Sequence, residues 1–326
     1  TATTVNIVNA GFNAADTLNI ALANATAGVV ANGTITAAST ETININTVDL
    51  GAGASAAATT DTLTLVATGA TAVNVSGNNG LTMTNTGNVL LVNFSAAGVV
   101  ANSATDTAAN LAVSYTSTAT TTTGTITIVG GAGNDVLIGN AAVNHTSIIT
   151  GGEGADAITS GLGNDTIALA ETTAAADTVT VLATAANGID TISSFAAGAG
   201  ADITALPQIS TVGTVTATAV FAASTNTSLT AGAAAFALTG ASSTTSDIVE
   251  INATLSAFGN LSAAGVTNGT ELLKALSATN VSASQVTATT AGDDFHLIAY
   301  QNGNAYLYEV TNNADAAVVA AEIFLV

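Results

Sequence analysis

Three nonapeptides in the middle of the chain restrict its fold more than any other feature. Residues 130–138 read GGAGNDVLI, 151–159 read GGEGADAIT and 160–168 read SGLGNDTIA. Each fits the pattern G-G-x-G-x-D-x-U-x, where U is a large apolar residue, and only the third departs, with Ser160 for the first glycine. The second and third are contiguous, and the first starts 21 residues before the second. That offset equals two nonapeptides plus three residues, and the intervening GNAAVNHTS reads as a degenerate copy.

In such a unit six residues make a tight turn, where glycine reaches backbone conformations that a Cβ forbids. Three residues make a short strand, with Leu137, Ile158 and Ile167 pointing inward. Consecutive units then form opposite edges of a flattened coil, and turns two units apart stack at the ordinary strand spacing of about 4.8 Å. Asp135 over Asp156 brings two carboxylates to roughly 5 Å, a repulsion on the order of 3 kcal/mol at an effective dielectric of about 20. A divalent cation between the turns reverses that sign. With backbone carbonyls exposed by the glycines, the turns offer an all-oxygen shell of about six to eight ligands, which suits Ca²⁺ and not Zn²⁺.

On these residues, the segment from 130 to about 204 resembles an RTX (repeats-in-toxin) calcium β-roll. NGIDTISSFAAGAGADIT, at 187–204, is similar to the closing segment that follows such repeats. The resemblance implies Ca²⁺ as cofactor and Asp135, Asp156 and Asp165 as ligand aspartates. It implies Gly131, Gly133, Gly152 and Gly154 as carbonyl donors, with Asn134 and Asn164 in the same turns. Asp190 and Asp202 are carried over from the closing segment, and the small number of clean repeats leaves the number of ions open. AEIFLV, at 321–326, resembles the C-terminal signal of type I secretion substrates, with Glu322 before a short apolar run. It reads equally well as a last β-strand.

Upstream of the repeats, TVNIVNAG, DTLNIAL, ETININTVDL, DTLTLVATG, TAVNVSGN, GLTMTN and NVLLVNFS alternate apolar with Thr, Asn or Ser positions. That period of two predicts half-buried strands spaced about eight to twelve residues apart. Asp-Thr before an apolar strand recurs at Asp16, Asp61, Asp165, Asp177 and Asp190. Its recurrence favours a stacked solenoid or sandwich over an irregular domain. The threonine run at 120–123 and TGTITIVGG continue as strand.

The only proline, Pro207, marks a change of pattern. Beyond it, GTELLKALSAT has helical spacing at Leu272, Leu273 and Leu276, with Thr270 as N-cap. DDFHLIAYQNGNAYLYEV predicts a hairpin on an Asn302-Gly303 type I′ turn, carrying Tyr300, Tyr306 and Tyr308. The expected fold is therefore all-β. Residues 1–128 form an N-terminal region of stacked short strands (solenoid or sandwich), and 129–205 a central parallel β-roll that binds calcium. Residues 206–326 form a C-terminal β-rich domain with one or two short helices.

Composition removes several function classes. Against 21 acidic residues stands one base, Lys274, for a net charge of −20. Nucleic acid and anionic membrane both need basic surface and are poor partners. No apolar run is long enough for a transmembrane helix. Without cysteine there are neither disulfides nor thiolate metal sites. The two histidines, His145 and His296, stand far apart without an HExxH pattern, so a catalytic zinc is unsupported. No G-x-S-x-G elbow or phosphate loop is present. Asp293 and Asp294 read as a solvated or calcium-linked turn, and matches to N-x-[ST] such as Asn24 and Asn74 are expected by chance in a chain this rich in Asn and Thr. The chain opens on Thr1, as a processed product or a fragment does, and shows no Sec-type leader.

RTX repeats occur in toxins, proteases, lipases, adhesins and bacterial surface-layer proteins. The Ala/Thr/Gly/Asn-rich composition and repetitive strands resemble the surface-layer (S-layer) proteins of Gram-negative bacteria. That likeness implies a non-enzymatic, extracellular structural subunit, exported by type I secretion to the bacterial cell surface. It would self-assemble with copies of itself into a lattice or filament, with cell-surface polysaccharide as a further partner. Two other readings stay open. One is an adhesin whose tyrosine-bearing domain recognises a glycan or surface protein, and the other is the calcium-binding secretion tail of an enzyme.

Overall fold

Alternation of apolar and small polar residues runs through most of the first two hundred positions, and each strand it builds faces the opposite sheet from the last. The computed structural model describes residues 2–4, 16–24, 29–49, 60–102, 106–120, 124–142, 145–180, 182, 188–196, 202–205, 221–223, 236–237, 248–251, 253–263, 269–277, 286–287, 294–311 and 317–325. The chain divides into two units, Thr1–Pro207 and Gln208–Val326.

The first unit holds β1 (Ala2–Thr4), β2 (Thr17–Asn24), β3 (Val29–Thr36), β4 (Thr42–Asp49), β5 (Thr60–Val66) and β6 (Ala72–Gly77). These are followed by β7 (Gly80–Asn85), β8 (Asn93–Val99), β9 (Val113–Thr116), β10 (Gly124–Val129), β11 (Val136–Asn140) and β12 (His145–Thr150). The last are β13 (Ala157–Gly161), β14 (Thr166–Ala168), β15 (Thr178–Thr180), β16 (Thr191–Ser193) and β17 (Ile203–Ala205). All odd-numbered strands pair in order in one nine-stranded sheet, and all even-numbered strands in an eight-stranded sheet. Neighbours are parallel, from β1 on β3 to β15 on β17. Strands that alternate between two parallel sheets trace a coil, so this unit is a two-sheet β-solenoid of the β-roll kind.

Register turns the alternation into a core. In the even sheet Leu18, Ile43, Val73, Phe94, Ile128, Ile149, Ile167 and Ile192 lie in one continuous file. The odd sheet faces it with Tyr115, Leu137, Ile158 and Val179. The three repeat positions expected to point inward, Leu137, Ile158 and Ile167, are all buried in these files. Phe94 and Tyr115, one from each sheet, stack at 3.9 Å between ring centroids. Many outward positions are Thr, Asn or Ser, such as Thr82 and Thr84 on β7, beside a few apolar ones such as Val136 and Ile148. Pairing crosses residue 128 unbroken, since Thr127 lies beside Asn93 and Ile128 beside Ile149. The strands before the repeats are therefore solenoid coils, not a sandwich. The segment TVNIVNAG and residues 121–123 lie outside the described residues apart from Thr4.

The second unit contains β18 (Phe221–Ala223), β19 (Phe236–Ala237), β20 (Ile248–Glu250), α1 (Gly269–Ala275), β21 (Val286–Thr287), β22 (Phe295–Gln301), β23 (Asn304–Val310), β24 (Ala317–Val318) and β25 (Ile323–Leu325). A 3₁₀ turn, Ala320–Glu322, precedes β25. Strands β18, β20, β22, β23 and β25 form one sheet, and β19, β21 and β24 a second. The hairpin of β22 and β23 turns on Asn302 and Gly303 with φ of 54° and 82°, both positive as a type I′ turn requires. Of its tyrosines, Tyr308 is fully buried and Tyr300 is exposed. Leu272, Leu273 and Leu276 pack into the same core as Val249 and Leu297. The helix starts at Gly269, so Thr270 lies within its first turn and is not the N-cap. Residues 323–325 of the C-terminal run pair antiparallel with β23 as a strand. Among the described residues no helix is long and apolar enough to cross a membrane.

If the inward file is the core, Ile149→Ala should lower the unfolding free energy by about 2–5 kcal/mol. Thr82→Ala, on the outward face, should change it by no more than about 0.5 kcal/mol. Urea denaturation of the two variants checks this, and equal losses would contradict the burial assignment.

Candidate metal centre

From β13 onward every strand of the solenoid is introduced by an aspartate, and so is β11. Asp135, Asp156, Asp177 and Asp202 precede β11, β13, β15 and β17 on one edge, while Asp165 and Asp190 precede β14 and β16 on the other. Contiguous repeats thus fall on opposite edges, and Asp165 does not share the file of Asp135 and Asp156.

Within each file the coils are stapled by the aspartates. Val113 N–H donates to Asp135 Oδ1 at 2.7 Å, Asp135 N–H to Asp156 Oδ1 at 2.8 Å and Asp156 N–H to Asp177 Oδ1 at 2.8 Å. Asp177 N–H continues the series to Asp202 Oδ1 at 3.1 Å. On the other edge Ser147 N–H donates to Asp165 Oδ1 at 2.5 Å, and Asp165 N–H to Asp190 Oδ1 at 3.0 Å. One oxygen of every carboxylate is therefore spent on the preceding coil.

The second oxygens differ. Asp135 Oδ2 accepts Gly131 N–H at 2.6 Å, Asp190 Oδ2 accepts the Ser160 hydroxyl at 2.9 Å and Asp202 Oδ2 accepts Ala196 N–H at 2.7 Å. Oδ2 of Asp156, Asp165 and Asp177 is buried and has no donor. These three residues are only 1–2 % exposed. A buried carboxylate oxygen without a partner carries a desolvation penalty that something must offset.

The glycines make room for this arrangement. A Cβ on Gly151 would overlap Asp156 Oδ2, so the first glycine of the repeat is the space its own aspartate occupies. Gly152, at φ +112°, rests on the Gly131 carbonyl oxygen, and Gly154, at φ +105°, lies over that of Gly133. Asn134 Oδ1 accepts Ala155 N–H at 3.0 Å and Asn164 Oδ1 accepts Ile189 N–H at 2.9 Å, so both asparagines are engaged as coil-to-coil staples.

Burial dominates the acidity of these groups. It pushes Asp135 up to about 7, against the lowering effect of the Gly131 and Val113 amides. Asp156 rises to about 8, from burial first and then from the charges of Asp135, Asp177 and Glu171, opposed by the Asp135 amide. Asp165 rises to about 7 and Asp177 to about 6 for the same first reason, each opposed by the amide it accepts. The single lysine is no counter-ion for them, as Lys274 pairs with Glu271 at 2.6 Å in the second unit.

Among the described residues no three His, Asp or Glu side chains converge as a metal cluster. A cation between these turns would take one or two carboxylate oxygens and draw the remainder from backbone carbonyls. The unpartnered oxygens of Asp156, on one edge, and Asp165, on the other, are the atoms that such an ion would meet, together with the stacked glycine carbonyls beside Asp156. Asp177 was not among the ligands the sequence suggested, because no glycine marks its turn. Its signal was its offset, 21 residues past Asp156, which repeats the step from Asp135. His145 is buried at the start of β12 and His296 on β22, in different units. Asp293 lies outside the described residues. No family model matches the chain, and no curated protein is similar to it.

The weakened acidity of these aspartates sets a pH dependence for the chain in chelator. An unfolded aspartate titrates near ~3.9, well below the folded values of about 6 to 8. Bound protons therefore stabilise the fold, fully below about pH 4, and that contribution is lost as the pH rises through 6 to 8. In chelator, the melting temperature of the first unit should be lower at pH 8.5 than at pH 5, and Asp156→Asn should flatten the slope. A melting temperature that rises over this interval would refute the assignment.

Proposed function

We propose that this chain is a secreted, calcium-binding structural protein that self-assembles into a bacterial surface layer or extracellular filament. The observation that carries the reading is the set of buried carboxylate oxygens without donors, stacked at coil spacing in a chain with a single base. Asp135 and Asp156 would hold Ca²⁺ on one edge with carbonyls of Gly131, Gly133, Gly152 and Gly154, Asp165 would do so on the opposite edge, and Asp190 and Asp202 would close the two edges. Bound Ca²⁺ supplies the positive charge that lets these carboxylates ionise without repelling one another. The protein's own residues do the remainder: glycines bring the turns into contact, and aspartate Oδ1 atoms hold the coils in register.

Assembly has a physical route in the solenoid. Among the described residues each parallel sheet ends in a strand with a neighbour on one side only, β1 and β17 in one sheet and β2 and β16 in the other. Head-to-tail pairing of such edges propagates without closing and yields filaments or sheets. At a net charge of −20, copies repel until divalent ions screen or bridge them. Outward rows of neutral Thr, Asn and Ser suit a surface that faces other copies or cell-surface polysaccharide.

Negative-stain microscopy of the purified chain in millimolar Ca²⁺ and in chelator tests the reading. Sheets or fibres that dissolve on chelation are expected, and monodisperse particles in both conditions would overturn it. Asp156→Ala should weaken Ca²⁺ binding and loosen residues 130–170 to hydrogen exchange. Unchanged stoichiometry in that variant would remove the motif assignment.

A further inference from the structure

Asparagine stands directly before glycine at 32–33, 79–80, 187–188, 268–269 and 302–303. Such a pair is chemically labile, because the glycine nitrogen, unshielded by a side chain, attacks the asparagine carboxamide carbon. What the fold does with each pair decides whether that attack proceeds. Asn187 and Asn268 lie outside the described residues.

Two pairs are locked in the solenoid. Asn79 is fully buried, its Nδ2–H donates to Asp61 Oδ2 at 3.0 Å, and the Gly80 N–H donates to the Asn110 carbonyl at 2.6 Å. Both the carboxamide and the attacking nitrogen are thus engaged. Asn32 is half-buried in β3, where its Nδ2 donates to Asp61 Oδ1 at 2.8 Å and to the Val30 carbonyl at 3.3 Å.

The hairpin tip between β22 and β23 is the opposite case. Asn302 and Gly303 are both exposed. Among the described residues the Asn302 side chain has no hydrogen-bond partner, and the Gly303 N–H meets no backbone carbonyl. Chain neighbours apart, no atom lies within 4 Å of where a Gly303 Cβ would stand, so ring closure meets no obstacle there.

We propose that Asn302 is a site of spontaneous deamidation, a covalent modification that the exposed turn permits and the solenoid denies to Asn32 and Asn79. Gly303 N bonds to Asn302 Cγ, the Cγ–Nδ2 bond breaks and ammonia leaves, giving a cyclic imide. Water then opens the imide. Breaking the Cγ–N bond leaves aspartate, and breaking the bond from the Asn302 carbonyl carbon to Gly303 N leaves isoaspartate. Either product adds a negative charge at the tip. Isoaspartate also lengthens the backbone by one carbon inside a loop whose length sets Gln301 opposite Asn304. That change reaches further through Gln301, whose side chain accepts the Leu261 N–H and donates to the Ser256 and Gly259 carbonyls.

Mass spectrometry of the full chain, incubated for days at pH 8.5, tests this. Trypsin frees residues 275–326 by cutting after the only base, Lys274. That fragment should gain the mass by which a carboxylic acid exceeds its amide, located at 302 by tandem spectra. A protease that cuts after acidic residues isolates Asn32 in 17–41 and Asn79 in 62–106. Conversion there should be slower by about tenfold or more, since the coils must first open. Asn302→Gly, which tolerates the positive φ of the turn, should abolish the gain. An unmodified 302, a gain that persists in Asn302→Gly, or conversion of Asn79 as fast as that of Asn302 would overturn the proposal.

Discussion

A backbone N–H donated into the carboxylate one coil further on is the contact on which the edges of this solenoid depend. It fixes the register between turns together with backbone bonds such as Glu153 N–H to the Gly131 carbonyl and Ala157 N–H to the Asp135 carbonyl, and it lines up acidic groups at strand spacing. Aspartate suits the position because its short side chain reaches one coil and no further. A longer variant of the contact occurs at the other end of the unit, where Glu41 Oε2 accepts Asp16 N–H at 3.0 Å.

The same stapling is done elsewhere without charge. Asn88 Oδ1 accepts Ala67 N–H at 2.5 Å and Asn78 Oδ1 accepts Asp49 N–H at 3.1 Å. Asparagine therefore suffices for register and avoids the cost of burying an anion. In the N-terminal coils a buried aspartate is satisfied by its surroundings: Asp61, fully buried, accepts Asn32 Nδ2–H at 2.8 Å and Asn79 Nδ2–H at 3.0 Å, one on each oxygen. Asp156 and Asp177 have no such second partner. Aspartates at the ladder positions are thus an expensive choice for a staple.

Much of this architecture was legible in the residues. The nonapeptide spacing foretold two alternating edges with Leu137, Ile158 and Ile167 inward, and the period-two runs foretold half-buried strands, in which Ile43, Leu63 and Phe94 are buried. The Asn302-Gly303 turn was readable because only a few residues tolerate positive φ at two successive positions. Less legible was the unity of the first unit, because its coils differ in length and blur any fixed repeat. Asp177 escaped for a related reason, since its turn keeps the ladder position but none of the glycines. Thr270 misled because a hydroxyl two residues before a leucine pair imitates a cap, while the helix in fact starts at Gly269.

Variable coil length has a consequence of its own. Ladder contacts span 18 residues between Ser147 and Asp165, 21 between Asp135 and Asp156, and 25 between Asp165 and Asp190, yet the strands they introduce stay in register. At these three steps the pairing registers hold despite the different spans, whereas further upstream β3 on β5 and β6 on β8 each take up an extra residue within the strands. The body therefore behaves like a spine with detachable ornaments: its axial repeat is set by strand spacing alone, and its girth can be remodelled coil by coil. Loops grafted onto such a frame change what its flank touches and leave the geometry of its end strands unaltered.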